Sequence, residues 1–205
     1  NGAAAGLGAT LALYCDVIMV ADTARIGDPH VKVGLTAGDG GSGIWPYLIG
    51  FARAREFLYT GELLTAQRAA DMGLINRCVP ADELDKIVDE FADGLANGAI
   101  RAIQWTKQAI NAPLKQVVSA NLDYSLSLES KSNITEDHQE GINALREKRT
   151  LFSNPFSIIC RRVFSRRRCR RRQNVLEYLN RFQRCLHVSQ PAKKLHLIVL
   201  FIRRI

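Results

Sequence analysis

Closely spaced metal-ligand sets are missing from this chain. Its five cysteines and four histidines form no CxxC pair and no Cys/His cluster, which argues against zinc sites and thioredoxin-like redox chemistry. Cys15 and Cys78 lie among apolar residues and are expected to be free, buried thiols, as in a reducing compartment such as the cytoplasm. Cys160, Cys169 and Cys185 fall in the C-terminal tail. No apolar run approaches the roughly 20 residues that a membrane span needs. Leu195 to Ile202 is apolar but too short, so no membrane partner is expected. Internal repeats are absent, an arginine run is the one biased segment, and the first residue is Asn rather than Met.

Acidic residues are scarce in one part of the chain only. Residues 1–152 carry 14 Lys+Arg against 19 Asp+Glu, a net of −5, whereas residues 153–205 carry 14 Lys+Arg and one acid, Glu177, a net of +13. The basic balance of the whole chain, +8, is therefore a property of the tail and does not imply a nucleic-acid partner for the rest. The run from Arg161 to Arg172 has two readings. It suits a tail that binds nucleic acid or an anionic membrane, or a nuclear localisation signal. Equally, an Arg/Cys-rich, acid-poor texture beginning so abruptly suits out-of-frame or read-through translation. The second reading is preferred, with residues 153–205 expected to be disordered or an isolated helix.

What the chain does have is concentrated in its first forty-odd residues. Gly2, Gly6 and Gly8 flank small residues ahead of Leu11-Ala12-Leu13, which predicts a tight loop entering a short helix at about Gly6 to Gly8. The first turn of such a helix offers unpaired N–H groups and a partial positive charge, suited to a developing oxyanion. Close packing of a helix on a sheet would give the same small residues. Cys15 to Ala21 then reads as a helix exit into a buried strand, and Ala24 to Gly27 as a second strand ended by the Gly27-Asp28-Pro29 turn. A glycine cluster, Gly38-Asp39-Gly40-Gly41-Ser42-Gly43, opens a helix through Ile44, Trp45, Leu48 and Ile49. Thr65 and Asp82 are expected to cap later helices. Leu84, Ile87, Val88, Phe91 and Leu95 recur at helical spacing and define one buried face.

These landmarks together resemble the crotonase (enoyl-CoA hydratase/isomerase) superfamily. The resemblance is carried by Asn1-Gly2-x-Ala4-x-Gly6-x-Gly8, Cys15-Asp16, Gly27-x-Pro29, Gly34-Leu35 and Gly38-x-Gly40-Gly41. Arg53-Ala54-x-Glu56, Thr60-Gly61, Gly73-Leu74-Ile75, Val79-Pro80, Lys107 and the segment Asp137-x-x-Glu140-Gly141-x-x-Ala144-x-x-Glu147-Lys148-Arg149 follow in the family's order. It covers residues 1 to about 152 and implies an α/β fold, a partial spiral of ββα units followed by C-terminal helices. The tail has no family counterpart. The resemblance further implies an N-terminally truncated domain, the C-terminal two-thirds, and a homotrimer or hexamer when full length. Leu122, Leu126 and Glu129 would then lie on a helix at the trimer interface, and Trp105 in core or interface.

The implied ligand is an acyl-CoA thioester, with no cofactor beyond the coenzyme A that the substrate carries. The backbone N–H of Leu7 would be one of two oxyanion donors, its partner lying upstream of Asn1. Ala5, Gly6, Gly38 and Gly41 would contact the substrate. The chemistry departs from the family at its two glutamate positions, which fall on Thr10 and His30. A hydroxyl is no base near neutral pH, whereas an imidazole titrates there. Asp39 falls beside a position where some members carry a catalytic aspartate. The catalytic candidates are thus His30 and Asp39, and each has a structural alternative: His30 as a polar turn residue, Asp39 as a helix N-cap or Asx turn. Asp28 is taken as a turn residue. For the parent protein an enzyme forming a thioester enolate is the leading reading, ahead of a non-catalytic CoA-binding protein or a nucleic-acid module working through the tail; the fragment alone is expected to lack a complete acyl-CoA pocket and to be inactive.

Overall fold

The computed structural model describes residues 1–150; the basic tail of the sequence reading lies outside the described residues. Among the described residues, five short strands and six α-helices follow one another. They are β1 (Ala4–Ala5), α1 (Leu7–Leu13), β2 (Met19–Ala21), β3 (Arg25–Gly27), α2 (Gly41–Thr60), β4 (Leu64–Thr65), α3 (Ala66–Asp71), β5 (Arg77–Val79), α4 (Leu84–Ala96), α5 (Ile100–Asn133) and α6 (Glu136–Arg146). A 3-10 turn, His30–Val33, lies between β3 and α2. Two small sheets result. One runs β1-β3-β4, with β1 and β3 parallel and β4 antiparallel; the other pairs β2 with β5 in parallel.

Parallel pairing needs a crossover, and α1 supplies it for β1 and β3. Its Ala9 and Leu13 turn inward to join Ile26 of β3, Ile44, Trp45 and Phe57 of α2, and Leu64, Ala69, Leu74 and Ile75 in the main core. Trp45 is fully buried at the centre. Burying five such large apolar side chains contributes about 1.5–3 kcal/mol apiece. A second, smaller core gathers Ala21, Ala24, Val79 and Leu84 under the β2–β5 pair. The helix α2 is broken at Gly50 (φ 78°, ψ 156°), so its buried first half and second half point differently.

Local expectations fare unevenly. Gly6 precedes the first helical residue, Leu7, as the glycine spacing requires. Thr65 caps α3, accepting the Arg68 N–H at 3.3 Å. Asp82 does not cap α4: the Pro80–Glu83 turn, closed by Glu83 N–H to Pro80 O at 3.1 Å, delays the helix so that Glu83 precedes it. Cys15 is exposed rather than buried, because it follows the last turn of α1 on the side away from the core.

The last helix closes back on the 3-10 turn. His138 Nδ1 lies 2.7 Å from Val33 O, and a Cβ added at Gly141 would stand 2.6 Å from the Val33 carbonyl carbon. α6 therefore touches backbone with backbone, which only glycine allows. Gly141→Ala is expected to cost about 1–3 kcal/mol by overpacking. Hydrogen exchange should show α6 losing protection first; full protection of α6 in that variant would contradict this contact.

Candidate functional site

Three segments converge where β3 ends. The turn after β3 brings Asp28 and His30, the loop before α2 brings Asp39, and α1 brings Thr10 and, just past its end, Tyr14. Asp28 is not simply a turn residue. Its Oδ1 accepts the His30 backbone N–H at 3.2 Å, which makes the turn, and contacts the imidazole Nδ1 of the same residue. The carboxylate is wholly withdrawn from solvent because α2 begins against it at Gly41, with no room there for a Cβ.

The second imidazole nitrogen faces a second carboxylate. His30 Nε2 lies 3.6 Å from Asp39 Oδ2. Asp39 Oδ1 accepts the Thr10 hydroxyl at 3.1 Å and, weakly, the Gly41 N–H at 3.4 Å. The Asx-turn and site readings of Asp39 thus both describe real contacts of one side chain. Thr10, buried in α1, holds Asp39 in place of offering a carboxylate of its own. Tyr14 donates its hydroxyl to Gly40 O at 3.2 Å, and burial, then the Asp39 charge, pushes its phenol upward.

His30 is drawn toward its protonated form. The hydrogen bond to Asp28 raises its pKa most, burial opposes this, and the charges of Asp28, Asp39 and Glu129 add to the rise. Nδ1–H held on Asp28 fixes the tautomer of the neutral ring and leaves Nε2 as its basic atom. The donor atoms of Asp28, His30 and Asp39 all lie within 4.8 Å of one another, close enough to suggest a cation site. The ring nitrogens, however, point at two opposite carboxylates, and a cation would have to displace one of these contacts. The arrangement favours a proton.

The candidate binding residues surround this group in different ways. Gly6 (φ 56°) sits under the imidazole: a Cβ there would be 3.3 Å from His30 Cε1. Leu7 follows as the first residue of α1, its N–H without an intrahelical acceptor. Ala5 is exposed at the end of β1. Gly38 and Gly41 are turned toward protein groups, Gly38 against α5 and Gly41 against Asp28. Glu129 of α5 reaches over Gly38, where a Cβ would lie 2.6 Å from its own Cβ.

Comparison with known proteins decides the family. Residues 1–154 match the family model for enoyl-CoA hydratase/isomerase. The chain belongs to the enoyl-CoA hydratase/isomerase family. It is 37% identical over 148 residues to the probable enoyl-CoA hydratase of Mycobacterium bovis, covering 72% of this chain and 58% of that relative. It is 34% identical over 146 residues to the short-chain-enoyl-CoA hydratase of Clostridioides difficile, covering 71% of this chain and 94% of the relative. The crystal structure of an enoyl-CoA hydratase from Mycobacterium avium subsp. paratuberculosis superposes with a TM-score of 0.70 at 31% identity, over 75% of this chain and 62% of that one. The crotonase-like α/β fold is thereby shown as well.

Two members of the cluster escaped the sequence reading. Gly-Asp-Pro is a turn signal that hides the second task of Asp28, and Tyr14 lies in an apolar helix end with no motif around it. Replacing Asp28 tests the arrangement. Asp28→Asn should lower the His30 midpoint, read by NMR, by about one unit or more. The sign for stability follows from the raised pKa. Stabilisation from the charged ring is full below the unfolded value of 6.5 and is lost as pH rises through the higher folded midpoint. The variant should flatten that loss; an unmoved midpoint would show that Asp28 does not govern the ring.

Proposed function

We propose that this protein acts on an acyl-CoA thioester and moves a proton at the carbon next to its carbonyl, through an enolate, with His30 as the acid–base group. The observation that carries this reading is His30 held between Asp28 and Asp39, directly beside Gly6 and the start of α1. A thioester carbonyl placed on the Leu7 N–H would bring its α-carbon to the imidazole side of that glycine.

The chemistry follows from the contacts. Neutral His30, its Nδ1–H engaged by Asp28, accepts the α-proton at Nε2. The electron pair left on carbon passes to the carbonyl oxygen, where backbone N–H groups stabilise the oxyanion. The imidazolium, now facing Asp39, returns the proton to the same or a conjugated carbon. Isomerisation is the natural outcome of such a step. Water addition by two glutamates is not, since Thr10 supplies a hydroxyl committed to Asp39. Decarboxylation or thioester hydrolysis would use the same enolate or oxyanion support. No cofactor beyond coenzyme A is required, and assembly into a trimer or hexamer is part of the reading. Among the described residues, no helix is long and apolar enough to cross a membrane.

The full chain incubated with short acyl-CoAs in D2O should exchange the α-hydrogen. His30→Ala should slow exchange about 10²–10⁴-fold, the usual weight of a general base, while CoA-thioester binding persists. Asp39→Ala should slow it less. Exchange should also rise with pH through a midpoint above the ordinary imidazole value of 6.5, because the neutral ring is the base. Undiminished exchange in both variants would sink the assignment, and binding without exchange in the unaltered protein would favour a non-catalytic CoA-binding role.

A further inference from the structure

Three residues on one face of α5, at spacings of four and three, meet the loop before α2. Ser125 is buried and donates its hydroxyl to Gly38 O at 2.7 Å. The Thr36 N–H donates to Ser132 Oγ at 3.1 Å. Glu129 lies between these two fastenings, and they hold its carboxyl over Gly38. A Cβ on Gly38 would be 2.9 Å from Glu129 Oε2. That oxygen is sealed from solvent and has no hydrogen-bond partner, and the same is true of Asp39 Oδ2 and Asp28 Oδ2.

Glu129 thus adds a third carboxyl group to the Asp28–His30–Asp39 cluster from the side of Gly38, and full ionisation would leave a net charge of −2. Carboxylate oxygens sealed from solvent and left unpaired disfavour that state. We infer that Glu129 is a further proton-holding group of this site, supplied by α5 and coupled through its charge to the His30–Asp39 pair.

The groups facing Glu129 are Asp28 from the turn after β3, His30 from the 3-10 turn, Asp39, and the Gly38 N–H from the loop before α2. Burial raises the Glu129 pKa most, and Asp39 and Asp28 raise it further, while His30 and the Gly38 N–H oppose the rise. The role as a proton store for catalysis rests on the proposed proton transfer. The coupling between Glu129 and His30 does not.

The test is an NMR titration of the full chain without substrate, following the Glu129 carboxyl carbon and the His30 ring. The Glu129 midpoint is expected above the ordinary 4.5. Glu129→Gln should lower the His30 midpoint by about half a unit or more, since a neighbouring charge is removed. Asp123→Asn, an exposed change on the same helix, should not. A Glu129 midpoint at or below 4.5 overturns the inference, and so does a His30 midpoint that moves equally in both variants or in neither. The first measurement needs no variant, so misfolding of Glu129→Gln cannot shelter the idea. Failure of α-hydrogen exchange with the coupling intact would count against the proposed reaction alone.

Discussion

The site depends on one buried carboxylate. Asp28 makes the turn that ends β3 and, with the same oxygen, contacts the imidazole two residues on. Local geometry and acid–base state are thus set by a single side chain. Its neighbours keep that carboxylate dry. α2 starts against it with a glycine, and α6 presses on the 3-10 turn with another. A carboxylate taken out of water is costly unless a partner meets it, and the imidazolium is the partner within reach. The fold and the charge of His30 are coupled for this reason.

Thr10 and His30 are linked through Asp39. The Thr10 hydroxyl orients that carboxylate, and its far oxygen faces the imidazole. Two aspartates flank the ring and favour its protonated form. The negative charge of the site therefore sits on residues that touch the ring from both sides.

How much of this was legible differs by residue. Glycine spacing located the entry to α1, and hydrophobic periodicity located α4, because both signals are local. Pairing of His30 with Asp39 could be suspected from type and proximity in sequence. The contact with Asp28 could not, because a Gly-Asp-Pro turn already accounts for an aspartate there. Glu129 was least legible: it lies 99 positions after His30, on a helix whose pattern reports an apolar stripe and not what its polar face meets. The start of α4 was misjudged for a smaller reason, since either of two adjacent acids can precede a helix and the preceding proline turn chose between them.

The clasp between His138 and Val33 joins residues 105 positions apart in the chain. During synthesis, residues 1 to 33 leave the ribosome long before α6 exists, so the 3-10 turn waits without the helix that holds it. At about 5–20 residues per second, that interval lasts several seconds to about twenty. Throughout it that turn lacks its latch, and chain truncation between the end of α4 and residue 138 yields a protein with its strands and cores encoded but the turn beside its site unlatched.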